Sequence, residues 1–283
     1  MASYGELWRA RLQLLRPGNA VMAAVGVAVG AALLEPSSAM AYAALPAALA
    51  AFLITAYGNV LNDIVDVDVD REGHPERPLP SGRISIGQAK ATAALLLALG
   101  LWEGFVAAGL RTFLFAVATV ALLGLYEWRL KGTGLAGNVV VATLVASTFA
   151  FGALTASPDW RAWGMVWALA VMAFLANVAR ELLKDIQDLE ADRERRSTFP
   201  MQAGRPVTLL LAFFLVQAAV VLSALAWWQA PWPRLWGIPL LAADIVFVIA
   251  ASIAWMDVRQ AQLGLKLAML LALAAFLAGA LQH

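Results

Sequence analysis

The chain of 283 residues contains no cysteine. That removes disulfides, thiolate metal sites and cysteine nucleophiles, and it leaves the redox compartment open. Charge is also scarce. Asp, Glu, Lys and Arg make up 14% of the residues against 62% hydrophobic, whereas a soluble domain is roughly half apolar and about a quarter charged. A soluble globular protein is therefore excluded, and an integral membrane protein is expected. The net charge of +1 gives no reason to expect a nucleic acid or other polyanionic partner, and nothing in the sequence calls for an obligate protein partner. No cleavable signal peptide is expected either, because residues 1–16 carry Glu6, Arg9, Arg11 and Arg16 and the apolar run behind them resembles the later ones.

What is present is a series of apolar runs, each near the roughly 20 residues that cross a bilayer. They fall at 20–35, 40–61, 86–109, 111–128, 135–156, 163–183, 207–229, 236–256 and 263–281, which predicts nine spans. Tyr4 to Leu15 has the rhythm of an interfacial amphipathic helix, broken by Arg16-Pro17-Gly18-Asn19. With the N-terminus in the cytoplasm, 17 of the 20 Lys and Arg lie on inner connections, and only Arg111, Arg161 and Arg234 lie outside. The odd count and the charge bias agree, so the C-terminus is expected outside. Trp160, Trp163, Trp227, Trp228, Trp232 and Trp236 fall at outer ends and are expected to form an interfacial belt. A single domain is expected over 1–283.

The charge that remains is concentrated. Asn62-Asp63-Ile64-Val65-Asp66-Val67-Asp68-Val69-Asp70 follows an apolar run directly. On a helix, Asn62, Asp66 and Asp70 share a face, Asp63 lies on its flank and Asp68 points away. Unpaired, such a cluster repels itself. It makes sense with a hard, oxygen-loving cation such as Mg²⁺.

A shift of 122 residues lays this stretch on a second one. Asp63, Ile64, Asp66, Asp70, Arg71, Glu72, Pro78, Gly82 and Arg83 recur as Asp185, Ile186, Asp188, Asp192, Arg193, Glu194, Pro200, Gly204 and Arg205, nine identities in 22 positions. Four spans separate the copies, so both face one compartment, as in a parallel repeat. Two acidic motifs on one face, 62–70 and 185–192, make a multi-carboxylate cage suited to metal ions and a diphosphate. Arg77, Arg83, Arg180, Lys184 and Arg193 are the candidate grips for remaining phosphate charge. Asn62 is matched by Lys184, so the halves are not equivalent: the first chiefly offers oxygen ligands, and the second also grips phosphate.

Asn62-Asp63-x-x-Asp66-x-x-x-Asp70, followed by Arg77-Pro78-Leu79-Pro80-Ser81-Gly82, resembles the first signature of the UbiA superfamily of membrane prenyltransferases. Lys184-Asp185-x-x-Asp188-x-x-x-Asp192 resembles the second. The resemblance covers essentially the whole chain. It implies an all-α bundle of nine transmembrane helices around a central cavity, with both acidic motifs on the cytoplasmic side and an opening toward lipid. Arg180 stands where many quinone-pathway members carry Tyr. With Leu15-Arg16-Pro17-x-Asn19, Gly137-Asn138 and Phe151-Gly152, it resembles the branch that prenylates a glycerol-phosphate lipid, whose acceptor carries its own phosphate.

The resemblance implies Mg²⁺ held by Asn62, Asp66 and Asp70 and by Asp185, Asp188 and Asp192, with Asp66, Asp188 and Lys184 central to catalysis. Arg77, Arg180, Lys184, Arg83, Arg16, Asn19 and Asn138 are the expected substrate contacts. The implied reaction moves a geranylgeranyl-type group from an allylic diphosphate to a glycerol hydroxyl. An aromatic acceptor of quinone biosynthesis is the alternative. A cation transporter is a reading of another class, but the acids stand at span ends and only Glu103 and Asp244 lie well inside spans.

Overall fold

The structure is a computed structural model that describes residues 4–35, 38–156, 159–160, 163–189, 197–229 and 237–281. The described residues are helical with connecting turns. The elements are α1 Tyr4–Leu15, α2 Pro17–Ala32, α3 Ser38–Val65, α4 Val67–Gly73, α5 Ile86–Ala108, α6 Leu110–Leu125, a π turn Tyr126–Leu130, α7 Leu135–Ala156, α8 Gly164–Gln187, α9 Phe199–Ala203, α10 Arg205–Gln229, α11 Gly237–Ile253 and α12 Val258–Ala280.

Local chemistry sets several boundaries. Ser85 and Gln88 close a reciprocal capping box at the start of α5. Gly109 holds φ 71° and ψ −143°, a conformation open to glycine, and turns α5 into α6 without a loop. Asp257 accepts a hydrogen bond from the Gln260 amide at the head of α12. The α1–α2 break comes from Arg16, held at φ 47° immediately before Pro17. The proline ring disfavours ordinary helical backbone in the residue preceding it, and the two helices diverge by 46° there.

Seven helices are long and apolar enough to span a membrane, eight if the bent α1–α2 pair counts as one. The expected nine included the runs at 20–35 and 236–256. Among the described residues these fold as helices of 16 and 17 residues, about 24–26 Å at 1.5 Å per residue against a hydrocarbon core of about 30 Å. Large apolar side chains stand on the outside: Leu45 is 64% exposed, Trp102 62% and Phe214 63%. That surface suits lipid as the solvent. The tryptophan belt is only partly as expected. Trp228 is exposed, but Trp163 is 4% exposed, lies against Trp167 at the start of α8 with ring centroids 5.6 Å apart, and belongs to a core cluster with Val166 and Ala170. Trp232 and Trp236 lie outside the described residues.

The core forms where α2 and α7 cross. On one side they meet α3, which packs on α5; on the other they meet α8 and α12, which pack with α10 and α11. The α2–α7 contact is backbone on backbone. A Cβ at Gly152 would lie 1.9 Å from the Val27 carbonyl oxygen, and one at Gly30 would lie 2.0 Å from that of Phe149. Between the two groups of helices lies a cavity of about 340 Å³.

Candidate functional site

The first acidic motif straddles the end of α3. Helical hydrogen bonding continues through it, from the Asp66 amide to the Asn62 carbonyl and from the Asp70 amide to the Asp66 carbonyl. Asp66 itself relaxes to φ −87° and ψ 3°, so the motif bends there rather than running as one straight helix. Asp63, Asp66 and Asp70 are buried, at 3%, 9% and 4% exposure. Charged groups at that depth need partners, and each has a cation. Arg16, from the α1–α2 bend, bonds Asp63. Lys131 lies 2.7 Å from Asp66 Oδ2. Arg77 NH1 lies 2.7 Å from both oxygens of Asp70.

Two members of this network escaped the sequence reading as site residues. Glu127, 6% exposed, accepts from the side-chain Nδ2 of Asn62 at 3.0 Å and from Lys131 Nζ at 2.7 Å. Both stand at the π turn, where the Lys131 amide bonds back five residues to the Tyr126 carbonyl. Such turns often mark functional positions. The available signal was Glu127-x-x-x-Lys131 at the inner end of an apolar run, one ion pair at helical spacing. Asp68 is exposed and pairs with Arg71 at 2.6 Å, away from the cluster, as its register predicts.

The second motif ends α8. Its Asp188 has φ −91° and ψ 5° with its amide bonded to the Lys184 carbonyl, close to the geometry of Asp66. Asn138, on the first turn of α7, donates to Asp185 Oδ2 at 2.8 Å. Buried Glu181 pairs with Arg180 and lies 3.8 Å from Lys184, whose side chain is half exposed. Asp188 makes no side-chain hydrogen bond among the described residues. Asp192 and Arg193 lie outside them. Lys131 and Asn138 are seven residues apart, at most about 25 Å of chain, and they touch the first and second motifs respectively. One short segment therefore tethers both motifs at the same end of the bundle.

The cavity continues inward from that end. Asn19, Asn59, Asn177, Arg180 and Lys266 give it a polar end, while Phe115, Phe149, Leu169, Leu240 and Phe276 are among its apolar lining residues. Asp244 lines it too. Of the expected substrate contacts, Asn19 and Arg180 reach the cavity, and Arg77, Arg16 and Asn138 bond motif acids. Arg83 does not reach them: it bonds the Glu76 carbonyl and Ser81 within its own loop.

Among the described residues, no three metal-ligating side chains converge on one point, because protein cations occupy the acids of the first motif. The donor set still fits a hard divalent ion. It is all oxygen, the first network sets four carboxylates against three cations, and half-buried Asp188 has no bonded partner there.

Apolar helices around a cavity, with paired acids and cations at one end, define a multi-pass membrane protein built to hold an amphiphile by an anionic head. The profile of the UbiA prenyltransferase family matches residues 23–274, and the chain belongs to that family. A digeranylgeranylglyceryl phosphate synthase of Methanopyrus kandleri is 40% identical over 279 residues, covering 96% of this chain and all of the relative. A solved structure of a digeranylgeranylglyceryl phosphate synthase is 30% identical, with a TM-score of 0.75, and covers 98% of this chain and 100% of its own. A UbiA homologue from Archaeoglobus fulgidus, solved with GPP and Mg²⁺, shares the fold with a TM-score of 0.69 at 19% identity, covering 97% and 100%.

Proposed function

We propose that this enzyme transfers a geranylgeranyl-type group from its allylic diphosphate to the free hydroxyl of geranylgeranylglyceryl phosphate. One observation carries the reading: the apolar cavity has cations at its polar end, Arg180 and Lys266, on the side of the bundle where the two acidic motifs lie. A long isoprenoid fits the apolar part, and two phosphorylated heads fit the polar part. The 40% identity to a named digeranylgeranylglyceryl phosphate synthase supports the same acceptor.

In this reading Asn62, Asp66 and Asp70 hold one Mg²⁺, and Asp185, Asp188 and Asp192 hold another. Bound there, the ions would shield diphosphate charge and stabilise the leaving group as it departs. Arg77 and Lys131, now on Asp70 and Asp66, are placed to turn from carboxylate to phosphate oxygen. Lys184 reaches from the solvent side, and Arg16 and Asn138 keep Asp63 and Asp185 in place. The donor C1–O bond breaks with its electron pair leaving on diphosphate. The acceptor hydroxyl oxygen bonds C1, and its proton passes to the diphosphate or a motif carboxylate. Phe149, Phe151 and Leu169 exclude water from the prenyl tail and so from the cationic carbon.

The chain acts as a single domain with nine spans, α2 and α11 being short ones, and a parallel repeat. The matching backbone bends at Asp66 and Asp188, 122 positions apart in sequence, support the repeat. The site and the N-terminus face the cytoplasm and the C-terminus lies outside, in keeping with the inner bias of Lys and Arg.

The test offers purified protein geranylgeranyl diphosphate with Mg²⁺ and, separately, geranylgeranylglyceryl phosphate, 4-hydroxybenzoate and dihydroxynaphthoate. Product is expected from the glyceryl phosphate. Product from an aromatic acceptor alone would overturn the acceptor assignment and leave the donor chemistry standing.

A further inference from the structure

Beyond its first turn, α12 is apolar except for Gln262 and one charge, Lys266. That lysine is the ninth residue of the helix, about 12 Å along it. A cation so placed in a membrane helix faces a cavity or a partner and marks a functional position by default. Lys266 lines the central cavity. It also lines an adjacent open cleft at the α1–α2 bend, with Arg16, Pro17, Gly18 and Asn19. Asn19 borders both spaces as well, and its Oδ1 accepts a long hydrogen bond from Lys266 Nζ at 3.4 Å.

The other cation on the cavity wall, Arg180, is already neutralised by Glu181, and Arg16 by Asp63. Lys266 has no carboxylate partner among the described residues. One turn earlier on the same face, Gln262 donates to Gln187 at 3.0 Å. Gln187 immediately precedes Asp188, so Lys266 stands beside the second acidic motif but outside its network. An uncompensated ammonium at the junction of an apolar cavity and an open cleft suits an anion that enters from the membrane surface.

We propose that Lys266 and Asn19 form a second anion subsite, separate from the diphosphate grip, which takes the phosphate of the glycerol-phosphate acceptor. The assignment rests on the proposed acceptor class. It explains how two phosphorylated amphiphiles share one cavity: the donor head is held at the motifs and the acceptor head on α12 and the α1–α2 bend, with the acceptor hydroxyl between them.

The experiment compares wild type, Lys266→Met and Lys266→Arg, all full length in lipid nanodiscs. Acceptors are geranylgeranylglyceryl phosphate and its phosphate-free alcohol, and binding of glycerol 1-phosphate is measured directly by calorimetry. Methionine removes charge from an apolar helix, so insertion and thermal stability are expected to hold. Lys266→Met should raise KM for the phosphorylated acceptor about tenfold, the scale of one charge-assisted phosphate contact. Donor KM should change by less than about twofold, arginine should restore most of the loss, and the alcohol should be used equally poorly by wild type and Lys266→Met. An equal rise in donor KM, or an equal loss with the alcohol, overturns the subsite. Should wild type use neither glyceryl acceptor, the functional reading falls. The subsite is then decided by glycerol 1-phosphate, which must bind wild type and fail to bind Lys266→Met.

Discussion

The ammonium of Lys131 lies 2.7 Å from Asp66 Oδ2 and 2.7 Å from Glu127 Oε2, so one cation on the α6–α7 connection holds an acid of the first motif against an acid of the π turn. Both carboxylates are nearly buried, with side chains 12% and 2% exposed. The lysine therefore has a stabilising role before any substrate arrives.

Lys131→Met should take the shared cation from two nearly buried acids and lower stability by about 3–5 kcal/mol, the usual cost of removing one partner from a buried pair. Adding Glu127→Gln to it should recover much of that stability without recovering turnover, since the phosphate grip proposed for Lys131 is still missing. Thermal unfolding in detergent and a turnover assay on the same samples separate the two effects. Full turnover in the stabilised double variant would remove Lys131 from the phosphate site.

Arg16 combines a left-handed backbone with a bridge to buried Asp63. Arg16→Ala keeps the strain and loses the bridge. Arg16→Gly also loses the bridge but sheds the strain, so it should be more stable than the alanine variant by about 1–2 kcal/mol. A double-mutant cycle with Asp63→Asn should give a coupling of about 1–3 kcal/mol. A coupling near zero in thermal unfolding would mean that the bend is set by Pro17 alone.

The α2–α7 crossing leaves no room for a methyl group at Gly152 or Gly30. Gly152→Ala should push the helices apart and cost at least about 1–3 kcal/mol by overpacking, seen as a lower melting temperature and a loss of monodisperse protein on size exclusion. Gly164→Ala meets nothing within 4 Å and serves as the control.

Asp66→Asn and Asp188→Asn should each reduce divalent-dependent turnover by about a hundredfold or more while the protein still inserts. Chelation of wild type should abolish activity, and Mg²⁺ should restore it. Unchanged turnover in either variant takes that residue out of the ligand set.

The helices were largely legible because each depends on its own stretch of chain. An apolar run of sufficient length must be a helix in lipid, where backbone groups have no water to bond. The motif acids stand out in the sequence too, since they recur at a fixed offset. Less legible was the role of Glu127, a single acid whose meaning depends on the neighbour that helix packing brings. Trp163 was illegible for a similar reason: a tryptophan at a span end suggests an interface, and only packing shows that it is buried in the core. Arg83 carried the motif's spacing but spends its hydrogen bonds on its own loop.

Composition and order along the chain thus determined the class: a bilayer-solvated helical protein with paired acidic motifs at one end and cations beside them. Tertiary structure decided which charge meets which. Arg16 reaches Asp63 across 47 residues, Lys131 reaches Asp66 across 65, and Lys266 reaches Asn19 across 247. Those separations have no periodicity to read. They follow from which helices lie side by side, and that is set by contacts such as the glycine crossing of α2 and α7, where the absence of a side chain lets two backbones meet.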